Sequence, residues 1–154
     1  MRDFNDADRM KKSRRIRLPD NPGNLTREIL SRLQDAVKAA GKDGHIACHA
    51  GWKLAKETGI PRLDVGVMID KLGLRVTDCQ LGCFKVDKTP YTGSATGSIG
   101  EEIASRVLAL HDKGELTCYN AFALARELNV KPMSIADAAN VQGYKFRQCQ
   151  LGCF

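Results

Sequence analysis

Six cysteines are the side chains of this 154-residue sequence best suited to metal or redox chemistry, and their spacing occurs twice. In each set of three, the second cysteine follows the first by 31 positions and the third follows the second by 4. Three thiolates suit a soft metal such as zinc, or an iron–sulfur cluster. We therefore predict that all six are metal ligands, in two sets: Cys48, Cys79 and Cys83, and Cys118, Cys149 and Cys153.

The metal interpretation leaves the fourth ligand open, and the cysteine pattern also admits two other interpretations. A tetrahedral zinc site needs a fourth ligand. His49 would complete the first set, but its counterpart in the second set is Tyr119. A site shared between the two sets, or the terminal carboxylate of Phe154, would avoid this difficulty. Reversible thiol redox chemistry is the second interpretation, and burial as small apolar side chains is the third. The sequence leaves all three open.

The cysteine spacing belongs to a longer internal repeat. A shift of 70 residues aligns 25–84 with 95–154 without a gap, and 16 of the 60 aligned positions are identical. Both copies end in the hexapeptide Cys-Gln-Leu-Gly-Cys-Phe. An ungapped match of this length indicates a tandem duplication. We predict two repeat domains with these bounds, a linker at 85–94, and a basic, largely disordered arm at 1–24.

Apolar spacing and punctuating glycines predict three helices and short strands in each copy. The second helix is expected at about 48–58 and 118–128, with Thr117 as an N-cap. Its first turn would favour a thiolate on the cysteine there. Asp64 and Ser134 are expected to begin the third helix, which Gly73 and Gly143 would end, before a short strand. The predicted fold class is mainly α with short β-strands.

This order of elements resembles the winged helix-turn-helix superfamily. Residues 54–60 with 65–74, and 124–130 with 135–144, carry the resemblance. It implies two tandem winged-helix-like units and DNA binding by the third helix of each, in the major groove. In the second copy, Asn140 and Gln142 would reach base edges. In the first copy we expect five outward positions, whose two carboxylates oppose binding to phosphates: Asp64, Gly66, Val67, Asp70 and Lys71.

The formal charge of +6 is concentrated near the N-terminus. Residues 9–17 hold six basic side chains and no acidic one, and the remaining chain has 18 basic and 18 acidic residues. Such an arm would neutralise phosphates and release counterions without discriminating sequence. The predicted nucleic-acid contacts in the arm are Arg9, Lys11, Lys12, Arg14, Arg15 and Arg17.

These patterns predict a DNA-binding regulatory protein that is tuned by the metal or redox state of its cysteines. The alternative prediction is a cysteine-rich metal- or iron–sulfur-binding accessory protein that binds another protein, or a plain interaction module. No apolar stretch approaches the roughly 18 residues of a membrane span, and the first residues lack an apolar signal core, so we expect a cytoplasmic protein with no membrane partner. The histidines form no catalytic triad, so no enzyme is expected. The repeats are expected to pack together or to form a homodimer.

Overall fold

A computed structural model of the protein describes residues 6–84 and 98–154. In these residues the chain is mainly helical and has one small two-stranded sheet, which confirms the predicted fold class. No helix in residues 6–84 and 98–154 combines the length and the apolar character needed to cross a membrane. The predicted linker at 85–94 lies outside the described residues.

Each copy contains three helices in the predicted order. The N-terminal helix is α1 (Asp6–Arg15). The first copy then comprises α2 (Arg27–Ala40), β1 (His45–Ala47), α3 (Cys48–Thr58), α4 (Arg62–Lys71) and β2 (Arg75–Thr77). The second copy comprises α5 (Ser98–Asp112), α6 (Cys118–Glu127) and α7 (Pro132–Val141).

Local signals set most helix ends as predicted. The Thr117 hydroxyl accepts a hydrogen bond from the Asn120 N–H at 3.1 Å, so it caps α6. Gly73 and Gly143 follow the third helices with φ of 70° and 74°, a backbone region that favours glycine. The expected start of the third helix was wrong. Both third helices begin three residues earlier than N-caps at Asp64 and Ser134 would place them, since their N-caps are Pro61 and Lys131.

The short strands pair in parallel. β1 and β2 pair with Ile46 opposite Val76. In the second copy the equivalent pairing is a single parallel bridge between Thr117 and Arg147. The chain therefore returns, after the third helix, alongside the segment that precedes the second helix. No β-hairpin follows either third helix within residues 6–84 and 98–154, so the winged-helix resemblance rests on the helices and stays a prediction.

The chain divides into two compact units whose boundaries differ from those of the repeats. Unit 1 comprises Met1–Asp78 together with Gln150–Phe154, and unit 2 comprises Cys79–Cys149. The predicted domain bounds of 25–84 and 95–154 assigned each terminal hexapeptide to its own copy. In the structure the first hexapeptide belongs to unit 2, and all but the first residue of the second hexapeptide belongs to unit 1.

A close contact between backbones holds the last five residues in unit 1. Leu151 is 1% exposed, and a Cβ added to Gly66 of α4 would lie 2.0 Å from the Leu151 carbonyl oxygen. A Cβ added to Gly51 of α3 would lie 3.1 Å from Leu151 Cδ1. We call this place, formed by Gly51 and Gly66, the leucine slot. Burying a leucine side chain there contributes roughly 2 kcal/mol.

The segment before α2 is ordered where the sequence predicted disorder. Residues 6–15 form α1, and the chain that follows is held against α4. The Gly23 N–H donates to the Asp64 carboxylate at 2.6 Å, and the Lys71 ammonium donates to the Asp20 carbonyl at 2.6 Å. Lys12 forms an ion pair with Asp70. Partners distant in sequence thus order a segment whose composition alone favours disorder.

We expect Gly66→Ala to lower the free energy of unfolding by roughly 3 kcal/mol, because overpacking against a fixed backbone oxygen is costly. The matched control is Gly51→Ala, whose new Cβ would meet the ends of the Leu151 and Ile69 side chains and no backbone atom among its three nearest neighbours. Alanine is the better helix former by about 1 kcal/mol, so this control should be close to neutral. Urea denaturation measures both variants, and a Gly66→Ala protein as stable as the wild type would contradict the slot.

Candidate thiol site

The first hexapeptide forms a tight turn that begins at Cys79. The Gly82 N–H donates to the Cys79 carbonyl at 2.8 Å, and Gly82 has a φ of 63°. This left-handed position is one that glycine adopts without steric cost. The turn folds the next residues back over the Cys79 side chain, which is 5% exposed.

The Cys79 sulfur is held as a thiolate by hydrogen bonds from its own turn. The Cys83 thiol and the backbone N–H groups of Cys83, Leu81 and Phe84 lie within reach of it, and the Cys83 thiol has a second acceptor in the Leu81 carbonyl at 3.8 Å. These bonds lower the pKa of Cys79 from 9.0 to about 6, with the Cys83 thiol as the largest cause, although burial acts in the opposite direction. Cys79 therefore carries a negative charge at neutral pH.

Cys83 is the proton-bearing partner of this pair. Its hydrogen bond to Cys79 raises its pKa, and partial desolvation of the sulfur raises it further even though the residue as a whole is exposed. The negative charge of the Cys79 thiolate acts in the same direction. The two sulfurs of the turn thus share one proton, as coupled groups do. We call Cys79 and Cys83 the thiol pair.

The thiol pair has the chemistry of a reactive dithiol. A thiolate is the nucleophilic form of cysteine, and a second thiol in hydrogen-bonding contact can displace whatever group the first sulfur acquires. Cys83 is exposed, whereas Cys79 is buried. Small reagents are therefore favoured over bulky ones at the Cys79 sulfur.

The structure does not gather the three cysteines of each copy into one unit. Cys48 and Cys153 belong to unit 1, whereas the other four cysteines, including the thiol pair, belong to unit 2. Cys48 and Cys118 are the buried first residues of α3 and α6, where the sequence placed them. Every cysteine lies in the described part of the chain, and none of the six forms a disulfide.

The described residues contain no preassembled metal site. Within 6–84 and 98–154, no group of three or more Cys, His, Asp or Glu side chains has a geometry that could hold a metal ion. His49, considered as a fourth ligand, is exposed. Zinc or iron–sulfur binding by Cys48, Cys79, Cys83, Cys118, Cys149 and Cys153 stays a prediction, and it would require these side chains to rearrange.

The predicted outward face of α4 is wrong at Asp64, Gly66 and Val67, whereas Lys71 is exposed as predicted. Asp64 is 4% exposed and accepts the Gly23 N–H, and Gly66 and Val67 are buried. Asp70 and Lys71 bond to the N-terminal segment. The leucine slot and the N-terminal segment together cover α4, which is the helix that the winged-helix resemblance assigns to the major groove. The spacing of apolar residues in α4 did not predict this burial.

The predicted contacts of the second copy differ in exposure. Asn140 is exposed at the end of α7. The Gln142 side chain is half-buried, and its amide donates to the carbonyls of Ala104 at 3.3 Å and Ala138 at 3.1 Å. Gln142 therefore stabilises the packing of α5 against α7, and of the two residues only Asn140 keeps a solvent-facing position.

The basic arm keeps three exposed cations among its described side chains. Lys11 and Arg14 project from α1 into solvent, and Arg17 is exposed just after it. Lys12 is half-buried in its ion pair with Asp70, so it differs from the other arm cations. The side chains of Arg9 and Arg15 lie outside the described part of the structure.

Sequence reasoning did not foresee that Cys79 and Cys83 would differ in protonation. The signal for it is local: Gly82 lies between the two cysteines and permits the left-handed turn that directs N–H groups at the first sulfur. Comparison of the chain with protein-family models, with curated proteins and with solved structures found no match. The geometry of the site is therefore the basis for the functional argument.

We expect the ultraviolet absorbance of the Cys79 thiolate to disappear on acidification with a midpoint near pH 6. Its lowered pKa means that the charge persists down to that pH and is lost below it. Cys79→Ser should remove this step, and Cys83→Ala should move the midpoint upward because the main hydrogen-bond donor is gone. A wild-type midpoint near the ordinary value of 9.0 would contradict the site.

Proposed function

We propose that this protein is a regulatory thiol switch whose reactive centre is the thiol pair, Cys79 and Cys83. The observation that carries the proposal is the Gly82 turn, which places a second thiol and three backbone N–H donors around the buried Cys79 sulfur and lowers its pKa. A purely structural cysteine needs no such set of donors, since it packs as a small apolar side chain.

The proposed oxidant is a small peroxide such as hydrogen peroxide, because Cys79 is buried and a bulky disulfide would reach it poorly. The Cys79 thiolate attacks one peroxide oxygen, and the O–O bond breaks. Hydroxide leaves and takes up a proton as water, so that Cys79 becomes a sulfenic acid. The Cys83 sulfur then attacks the Cys79 sulfur, which forms the disulfide and releases a second water.

Formation of the disulfide would change the charge and the hydrogen bonds of the turn. The thiolate that accepts the N–H groups of Leu81, Cys83 and Phe84 is replaced by a neutral sulfur, which is a weaker acceptor. The turn belongs to unit 2, so this unit would register the change. Reduction by cellular thiols would reset it, which suits a cytoplasmic location.

We expect one equivalent of peroxide to convert the thiol pair to a disulfide within one tryptic peptide. Cleavage after Arg75 and Lys85 releases residues 76–85, which contain both sulfurs and no other cysteine. The peptide should lose the mass of two hydrogens and become resistant to alkylation. Cys83→Ser should instead accumulate a sulfenic acid that dimedone traps, because the second step has lost its thiol.

The matched control is Cys153→Ser, which removes a cysteine of unit 1 and should leave oxidation of residues 76–85 unchanged. A folded protein whose 76–85 peptide stays a dithiol under peroxide would overturn the switch. Stoichiometric zinc in the anaerobically purified protein, with protection of this peptide from peroxide, would instead support the metal-binding alternative.

A second candidate function is nucleic-acid association through the N-terminal arm. The exposed cations Lys11, Arg14 and Arg17 favour it, since they lie close together in sequence and face solvent. Contacts of this kind bring phosphate neutralisation rather than base readout. The burial of α4 argues against major-groove binding by the first copy, so we place the proposed contact on the arm.

We expect the triple change Lys11→Gln, Arg14→Gln and Arg17→Gln to abolish most duplex binding and to reduce the salt dependence of the affinity. Removing one cation from a phosphate should lower the slope of log K against log salt by roughly 0.9. Fluorescence anisotropy at several salt concentrations measures this slope. Lys12→Gln is the control, since Lys12 is paired with Asp70 and should contribute little. Unchanged binding by the triple variant would contradict the arm as the contact.

A further inference from the structure

Unit 2 contains a cavity of about 250 Å³ that the thiol chemistry does not use. Its wall combines aromatic and cationic side chains from His111, Tyr144, Lys145 and Arg147, with Leu116 and two glycines completing it. None of the described residues that line it is acidic. A cavity with this lining is suited to an anion that also carries an apolar or planar part.

The aromatic part of the wall is a preformed stack. The rings of His111 and Tyr144 are 3.8 Å apart between centroids and inclined by 12°. Asp112 Oδ1 lies 3.4 Å from His111 Nδ1, so a carboxylate adjoins the stack. A stacked pair of flat rings presents a surface on which a further planar group packs well.

Backbone hydrogen bonds fix the position of the cationic part. The Arg147 N–H donates to the Leu116 carbonyl at 3.0 Å, and the Tyr144 N–H donates to the Ala139 carbonyl at 2.9 Å. These bonds anchor both ends of the segment from Tyr144 to Arg147. The main chain that carries the guanidinium of Arg147 and the ammonium of Lys145 is therefore constrained, which reduces the entropy lost when an anion binds.

The first copy shows that the fold does not need this lining. At the positions equivalent to His111, Tyr144 and Arg147 it has Gly41, Leu74 and Thr77. There Leu74 packs directly on Gly41, since a Cβ added to the glycine would lie 2.9 Å from Leu74 Cδ1. The same fold is thus completed in copy one by an apolar contact.

We infer that the cavity binds a small phosphate monoester that carries a planar ring, such as a nucleoside monophosphate. Arginine binds a phosphate through two parallel N–H hydrogen bonds, and lysine adds a point charge. The His111–Tyr144 stack then receives the ring. Two cations and no acidic side chain among the described lining residues give the site the charge that an anion requires.

The test is calorimetric titration of the full chain with AMP, adenosine and inorganic phosphate. AMP should bind most tightly, because only AMP engages both the cations and the ring stack. Arg147→Thr and Tyr144→Leu, which introduce the residues of copy one, should each weaken AMP binding about tenfold or more, as expected for loss of a charge-assisted bond or a stacking partner. Circular dichroism checks that both variants are folded.

Two controls separate this site from other cations of the chain. Arg75→Gln removes the cation of copy one that is equivalent to Lys145, and the triple arm variant removes Lys11, Arg14 and Arg17. Both should bind AMP as the wild type does. AMP binding that survives Arg147→Thr, or that is lost with the arm, would overturn the site. Equal affinity for AMP and inorganic phosphate would overturn the role of the ring stack.

Discussion

The approach of the Leu151 backbone to Gly66 is the constraint on which most of unit 1 depends. Only a residue without a side chain admits a carbonyl oxygen so close to a helix. Once the final segment occupies that place, α4 has it on one side and the N-terminal segment on another. The run from Asp64 to Ile69 is buried as a result. A helix with this much covered surface stabilises the fold and has little surface left to enter a groove.

The two hexapeptides have identical sequences and different surroundings. The first lies in unit 2 with Cys118, whereas residues 150–154 of the second lie in unit 1 with Cys48. In copy two, Ala121 and Ala136 occupy the positions equivalent to the two glycines of the leucine slot. The surface of α3 and α4 in copy one and the equivalent surface of α6 and α7 in copy two therefore differ, although both come from one duplicated unit. The reactivity of a cysteine in such a protein depends on the unit that receives it as much as on the motif that contains it.

The sequence predicted the features that depend on local contacts and did not predict those that depend on contacts distant in the chain. The bounds of α3, the Thr117 cap and the left-handed glycines after the third helices depend on neighbours within a few positions. The roles of Asp64 and Gly66 depend on Gly23, which is 41 residues from Asp64, and on Leu151 near the other end of the chain. In the sequence, an aspartate near a helix start that accepts a distant N–H cannot be distinguished from one that caps its own helix. The repeat favoured one assignment that the structure does not follow. Each hexapeptide was expected to pack with its own copy, because it is adjacent to that copy in sequence.

The exchange of terminal segments also constrains the order in which the protein assembles. The first unit lacks the residue that fills its slot until residues 150–154 have been synthesised, and by then the ribosome has already produced all of Cys79–Cys149. A nascent chain would thus carry an unfilled apolar surface between α3 and α4 throughout elongation. Such a surface stays exposed to solvent until the chain is long enough to cover it.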